Sequence, residues 1–462
     1  MNAHSRAAML RCVACGTAVD GLSPRPFACP NRDGIGEHIL RMQSPPEDIE
    51  VYEHSNPFIR YRKLLFAYRL ACAQGCSDSE YVDRVERLDS RVAEVDGHGF
   101  QPTPCQEQPQ LSSQCLPPGC QLWVKDETGN VAGSHKARHL MGIALSLESM
   151  AQSGRLPVPR PELAIASCGN AALGAAVVAA AMECPLRVFV PLGADPHVMS
   201  RLRDLGTRLE ICERGGDAVG DPCYRRFRQA IIAGAIPFSC QGPDNVLALD
   251  GGRTLGFELA EQIATASASL DRLFVQIGGG ALASSLFQGL EEMTRLGLGP
   301  QVPILHAVQT RGTHPLARAW RRLLSLAGAP QVATDSALAV WAMQPENQAA
   351  LAAALQRATA DRGLCMWPWE TTPKSIADGI LDDETYDWLA VVKGMLDSGG
   401  WPVLVSEEQL REANVMTSRH TAIAADHTGT AGLAGLLALT GKSEIKTGES
   451  LGVIVTGRRR GP

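Results

Sequence analysis

The 462-residue chain has no apolar run near the ~18 residues that a membrane-spanning helix needs. Its richest run, 171–182, is 12 residues long and full of alanine. A basic stretch is also missing beyond Arg458-Arg459-Arg460, and 43 Lys+Arg against 49 Asp+Glu leave a net charge of −6. Nucleic acids and anionic membrane surfaces are held by clustered positive charge, so neither is an expected partner. Arg6 and Arg11 stand near the start without the apolar core of a signal peptide, which predicts a cytoplasmic protein. There is no internal repeat and no low-complexity tract. Charged residues at 20% beside 45% hydrophobic residues exclude wholesale disorder.

What is present fits a large folded enzyme. The length suggests about three domains, fewer if the α/β units are large. Fourteen cysteines are scattered without a framework of short spacings, so most are expected to be reduced and buried. Residues 1–50 hold Cys12, Cys15, Cys29 and many turn formers. Over 56–97, Ile59, Leu64, Leu65, Tyr68, Tyr81, Val85, Leu88 and Val92 recur at helical spacing. The stretch 101–120, which carries Pro102, Pro104, Pro117 and Pro118 among its prolines, reads as a linker or extended lead-in.

From Gln121 onward, short apolar runs alternate with alanine-rich helical stretches. The runs are 163–166, 186–190, 209–211, 273–277, 304–308 and 453–455. Strands alternating with helices predict an α/β protein with a mostly parallel sheet covered on both faces.

Three strand-to-helix junctions carry the chemistry, because ligands of parallel sheets bind at the carboxyl ends of the strands. The first contains Gly133-Ser-His-Lys-Ala-Arg138. A cation opening a helix is electrostatically unfavourable, so Lys136 gains a reason if its amine is neutral or bound as a Schiff base. The second is Ala166-Ser-Cys-Gly-Asn170, where Ser167 can cap a helix and exposed N–H groups can bind a carboxylate. The third is Ile277-Gly-Gly-Gly-Ala-Leu282, a nest of N–H groups suited to a phosphate. It is neither a Walker loop nor G-x-G-x-x-G, which argues against a nicotinamide-dependent dehydrogenase.

Together, in this order, the three loops resemble the pyridoxal-phosphate enzymes of fold type II, the superfamily of tryptophan synthase β chain, threonine synthase and the serine/threonine dehydratases. The likeness runs from about Gln121 to Gly457. It implies two domains with pyridoxal 5'-phosphate in the cleft between them, a small amino-acid substrate and a homodimer. Lys136 would be the Schiff-base lysine and general base. Asn170 would hydrogen-bond the cofactor's phenolic oxygen, and Gly278, Gly279, Gly280, Ala281 and Leu282 would cradle its phosphate, flanked by His135. Thr456, closing the last strand, would face the pyridine nitrogen. Ser167, Cys168, Gly169 and Asn170 would clamp the substrate carboxylate. The expected division is a cysteine-containing leader (1–50), a helical part and start of the large domain (51–150), a smaller α/β domain (151–250) and the rest of the large domain (251–462), with a loop insertion at about 365–390.

The branch within the superfamily is read from finer features. Cys12, Cys15 and Cys29 look like the zinc-ribbon leader of some threonine synthases. A four-ligand site needs one more donor, only His38 is near, and Asn31-Arg-Asp replaces a second cysteine pair, so the expectation is a degenerate knuckle with no metal, dispensable for chemistry. The lysine motif reads Ser-His-Lys-Ala-Arg, and Ala137 replaces the Asp of threonine synthases. Without it Arg138 is expected to be loosely oriented and the substrate-phosphate pocket impaired. The segment 367–388 is expected either over the mouth of the site or at a dimer contact, and His427 is expected to be structural. The resulting expectation is β-elimination or β-replacement on a small polar amino acid through an aminoacrylate. Threonine synthesis from phosphohomoserine is the alternative.

Overall fold

A computed structural model describes residues 8–44, 49–213, 221–331 and 334–460; Arg6 lies outside them. Thirteen strands form three sheets among these residues. The leader is a small antiparallel sheet in which β1 (Met9–Cys12) lies between β2 (Ala18–Asp20) and β3 (Leu40–Met42).

The largest sheet has six strands: β4 (Cys105–Glu107), β5 (Gln121–Asp126), β10 (Arg272–Gln276), β11 (Ile304–Thr310), β12 (Pro402–Val405) and β13 (Ser450–Val455). Their order is β12-β11-β10-β13-β5-β4, parallel throughout except for antiparallel β4 at the edge. All five residues of β10 are buried, as expected of a strand covered on both faces. The second parallel sheet orders β8 (Arg208–Cys212), β7 (Leu186–Pro191), β6 (Leu163–Ala166) and β9 (Ile236–Pro237). No helix among the described residues is long and apolar enough to cross a membrane.

Two expectations are corrected at this level. Of the two readings of 101–120, the extended lead-in holds and the linker does not. The stretch forms β4 and a helix Pro109–Cys115, because Gln106 and its neighbours find partners on the free edge of β5. The leader does not lack a fourth donor. The loop between β2 and β3 swings His38 back, so that the Sγ atoms of Cys12, Cys15 and Cys29 and a ring nitrogen of His38 all lie within 4.8 Å of one another.

Helix packing explains several glycines. The helices Lys136–Gln152 and Leu247–Thr265 cross where Gly142 meets Gly251, and a methyl on Gly142 would fall 2.7 Å from Gly251 Cα. The helix Ala281–Arg295 crosses the same partner at Gly256 and Gly289, where a methyl on Gly256 would fall 2.9 Å from Gly289 Cα.

A buried ionic cluster joins these elements. Arg138 donates to both carboxylate oxygens of Glu127 at 2.9 Å and to Glu258 at 3.0 Å. Lys125 Nζ donates to Glu258 at 2.5 Å, to the Thr103 carbonyl at 2.7 Å and to Gln262 at 2.8 Å. Two cations and two carboxylates balance in the interior, and their remaining hydrogen-bonding capacity is taken up by Thr103 and Thr254. Arg138 is therefore firmly oriented in the core, and the expectation that Ala137 leaves it loose is wrong. Ala137 instead lies at a close helix crossing, where a methyl on Gly174 would come 3.2 Å from its backbone nitrogen.

Burial pushes the Glu258 carboxyl up, but Arg138 and Lys125 outweigh it and bring it down to about 2. A depressed carboxyl stabilises the fold above its unfolded value of 4.5 and loses that contribution as pH falls toward 2. Arg138→Met should cost about 3–5 kcal/mol, because it strands the Glu127 charge in the core. Chemical denaturation at neutral pH measures this, and a loss below about 1 kcal/mol, typical of an exposed pair, would show the cluster to be dispensable.

Candidate active site

β13 runs between β10 and β5, so the ends of these three strands at Asp126, Gln276 and Val455 come out side by side. The loops that follow them contain His135-Lys136, the triplet Gly278, Gly279 and Gly280, and Thr456. Sheet order alone therefore gathers segments more than 100 positions apart in the chain. From the other sheet, β6 delivers Ser167, Cys168 and Gly169 to the start of the helix Asn170–Ala181.

Lys136 is the first residue of its helix and is half-buried, and its backbone N–H donates to Ser134 Oγ at 3.3 Å. Its positive charge reaches His135, His139, Cys240, Asp382 and Asp387. Lys125, by contrast, is 1% exposed and fully used by the ionic cluster.

The glycine triplet forms a nest. Gly280 has φ +94, a left-handed conformation that suits glycine, and it precedes the helix Ala281–Arg295 without a side-chain cap. The N–H groups at that end are open to an anion. The nest carbonyls are held from outside: Thr385 Oγ1 donates to Gly278 O at 3.0 Å, and the Asp387 N–H to Gly279 O at 2.9 Å. Side chains on the triplet would strike Asp382, Tyr386 and Thr385. Residues 379–387 of the segment 367–388 thus lie directly against the nest.

The loop 167–170 departs from expectation in one respect. Ser167 does not cap the helix; Gly169 is its boundary residue, and Ser167 Oγ accepts only a long 3.4 Å bond from the Gly169 N–H. The first-turn N–H groups stay open in consequence. Asn170 Oδ1 and His135 Nε2 are both buried without a hydrogen-bond partner among the described residues.

Thr456 Oγ1 accepts the His135 N–H at 3.3 Å and lies 2.8 Å from His135 Nδ1. Burial, helped by the Lys136 charge, holds His135 well below the usual imidazole range, so its ring is neutral at pH 7. Thr456 has one hydroxyl hydrogen. Donated to Nδ1, it leaves Nε2–H as a free donor; donated to a pyridine nitrogen, it turns Nε2 into an acceptor. His135 and Thr456 therefore act as a coupled pair.

Three carboxyls complete the surroundings: Asp382 and Asp387 from the acidic segment expected over the mouth of the site, and Asp426 from just before a later helix. Burial raises Asp382 to about 6, opposed by the Lys136 charge and reinforced by Asp221 and Asp383, while a Gly279 N–H bond lowers it. Burial raises Asp387 and Asp426 to about 7 each. Asp382 and Asp387 belong to the acidic stretch after Trp369, whose density was the one available signal. His427 is half-buried, while its neighbours work: Asp426 accepts the Gly429 N–H at 2.6 Å and Thr428 Oγ1 the Gly379 N–H at 3.0 Å.

Comparison with known proteins bears on this geometry. The family model "Pyridoxal-phosphate dependent enzyme" matches residues 98–339, just over half of the chain. A threonine synthase of Methanosarcina acetivorans is 24% identical over 340 residues, covering 73% of this chain and 69% of its own. The solved structure of a T.th. threonine deaminase has a TM-score of 0.56 at 21% identity, covering 82% of this chain and 99% of that one. Diaminopropionate ammonia lyase from Escherichia coli has a TM-score of 0.56 at 14% identity, covering 90% and 95%.

Borohydride reduction followed by peptide mapping tests the lysine. The label is expected on Lys136 alone, and Lys136→Ala should abolish the visible absorbance of the purified protein. Label at Lys125 would overturn the assignment.

Proposed function

The chain belongs to the pyridoxal-phosphate dependent enzyme family, and on that premise we propose that it eliminates an amine or hydroxyl group from Cβ of a small polar amino acid. The cofactor is pyridoxal phosphate. The residues fit it: an uncapped glycine nest for a phosphate, Lys136 half-buried at the start of its helix, and two buried polar atoms, Asn170 Oδ1 and His135 Nε2, without a hydrogen-bond partner among the described residues. When bound, the cofactor supplies a sink for the electron pair left at Cα. Lys136 Nζ takes the Cα proton. The open N–H groups at Gly169 and Asn170 orient the substrate carboxylate.

The observation that carries the reaction type is Asp382. Its carboxyl is buried, hydrogen-bonds the nest at Gly279 and sits in the field of Lys136. Cys168, in the substrate loop, lies among Asp378, Asp221 and Asp382. The surroundings of that loop are therefore rich in carboxylates, which favour a cation or a hydrogen-bond donor on the substrate and repel a second anion. Above about pH 6 Asp382 is ionised and holds a β-ammonium or β-hydroxyl group. An ammonium departs as ammonia, or a hydroxyl as water with the proton that Lys136 took from Cα; the Cα–H bond and the Cβ–N or Cβ–O bond break, and the unsaturated amine takes up water to give a keto acid and ammonia.

Threonine synthesis, favoured by the Methanosarcina relative, requires a phosphate on the substrate. Arg138 is spent in the ionic cluster and the substrate end of the site is acidic, so the electrostatics oppose that reading.

Serine, threonine, 2,3-diaminopropionate and phosphohomoserine should be compared as sole substrates. Ammonia and keto acid are expected from the β-amino or β-hydroxy compounds; phosphate release with threonine formation, or racemisation without ammonia, would overturn the proposal. For 2,3-diaminopropionate, kcat/KM should rise as pH passes about 6, where Asp382 ionises. Asp382→Asn should remove that rise and cost about 10²-fold, the scale of a misplaced reactant. An unchanged profile would remove Asp382 from the reaction.

A further inference from the structure

The active site uses none of the leader's cysteines, yet their arrangement is specific. Cys12 ends β1, and the hairpin that follows is closed by Gly16 N–H to Cys12 O at 3.0 Å and Cys12 N–H to Thr17 O at 2.9 Å, with Cys15 at its turn. The loop returning to β3 brings in Cys29 and His38. Cys15 Sγ lies 3.7 Å from Cys29 Sγ, and His38 Nδ1 lies 3.5 Å from Cys12 Sγ and 3.6 Å from Cys29 Sγ.

These separations have a definite meaning. A disulfide brings two sulfurs to about 2.05 Å, so this is not one. Around a tetrahedral zinc with Zn–S about 2.3 Å and Zn–N about 2.0–2.1 Å, the S···S edge comes to about 3.8 Å and the S···N edge to about 3.5–3.6 Å. The three measured edges agree with that tetrahedron. The other ring nitrogen, His38 Nε2, faces Asp33 Oδ1 at 3.5 Å, and Asp33 is itself fixed by the Ile35 and Gly36 N–H groups at 2.8 and 3.0 Å. A carboxylate behind a histidine is how proteins aim the ring at a metal.

We propose that Cys12, Cys15, Cys29 and His38 hold one structural zinc ion, and that the hairpin it ties braces a wall of the active site. Four protein donors close the coordination sphere, so the ion is structural. The bracing runs through Glu37, next to His38. Its N–H donates to Thr359 O at 2.8 Å, and its carboxylate accepts Trp388 Nε1–H at 2.8 Å and pairs with Arg362 at 3.1 Å. Arg362 N–H returns a bond to Ile35 O at 2.9 Å. Trp388 directly follows Asp387, whose N–H holds the nest carbonyl of Gly279. A continuous chain of contacts thus joins the metal ligands to the nest. The leader is then not dispensable, contrary to its reading from sequence.

The full-length holoenzyme tests this. Elemental analysis after expression in zinc-supplemented medium should give one zinc per chain, and cobalt exchanged into the site should show the intense visible bands of tetrahedral thiolate coordination. Titration of the wild-type thiols with a mercurial should release zinc to a chromophoric chelator, and the cofactor's visible band should fall in parallel. His38→Ala should lose the metal, and Glu37→Gln should keep it while binding cofactor several-fold more weakly. Substoichiometric zinc, stoichiometric iron in its place, or a Cys15–Cys29 disulfide in the intact protein would overturn the site. Full retention of cofactor after complete zinc release would overturn the bracing.

Discussion

Arg138 is the residue on which the arrangement of the molecule turns. It sits two positions after the lysine assigned to the cofactor, wholly buried, and a guanidinium in that position survives only with matched carboxylates. Glu127 comes from the end of β5, and Glu258 from a helix 120 residues later. By satisfying both, Arg138 locks the first turn of the helix Lys136–Gln152 against the central sheet and the helix Leu247–Thr265. Lys136 inherits its placement from that lock. The planar fork of arginine matters here, because it meets Glu127 through two parallel bonds that a lysine could not make.

Charge then sorts the site into two ends. The nest and the loop at Gly169 offer uncapped backbone N–H groups, which attract anions. Asp382 accepts from the nest itself at Gly279, with Asp387, Asp378 and Asp221 nearby; burial keeps Asp382 and Asp387 from easy ionisation. A site of this kind favours a dipolar ligand, anionic at one end and a hydrogen-bond donor or cation at the other. The charge of Lys136 tempers the rise of Asp382 and Asp387.

The wall formed by residues 378–388 links this electrostatic pattern to the rest of the chain. Asp382 touches the nest directly, Thr385 and Asp387 hold its carbonyls, and Trp388 is anchored to Glu37 of the leader. A segment that reads from sequence as a loop insertion is, in the folded molecule, the part through which the leader reaches the chemistry.

Much of this protein was legible without coordinates. The alternation of apolar strands with alanine-rich helices, the lysine opening a helix and the glycine triplet before another are local patterns, set by the period-2 and period-3.6 spacing of side chains and by the backbone freedom of glycine. They sufficed to place the strands Leu163–Ala166, Ile304–Thr310 and Ser450–Val455 to within a few residues and to nominate Lys136, Asn170 and the triplet at 278–280. Tertiary structure alone decided which way Arg138 points, that His38 completes a four-donor cluster with Cys12, Cys15 and Cys29, that Asp382 lies against the glycine triplet, and that Trp388 bonds Glu37 of the leader. These pairings join residues up to 351 positions apart. They follow from the order β12-β11-β10-β13-β5-β4 and from burial, which fixes the charge state of each carboxyl; neither sheet order nor burial is written in the spacing of neighbouring residues.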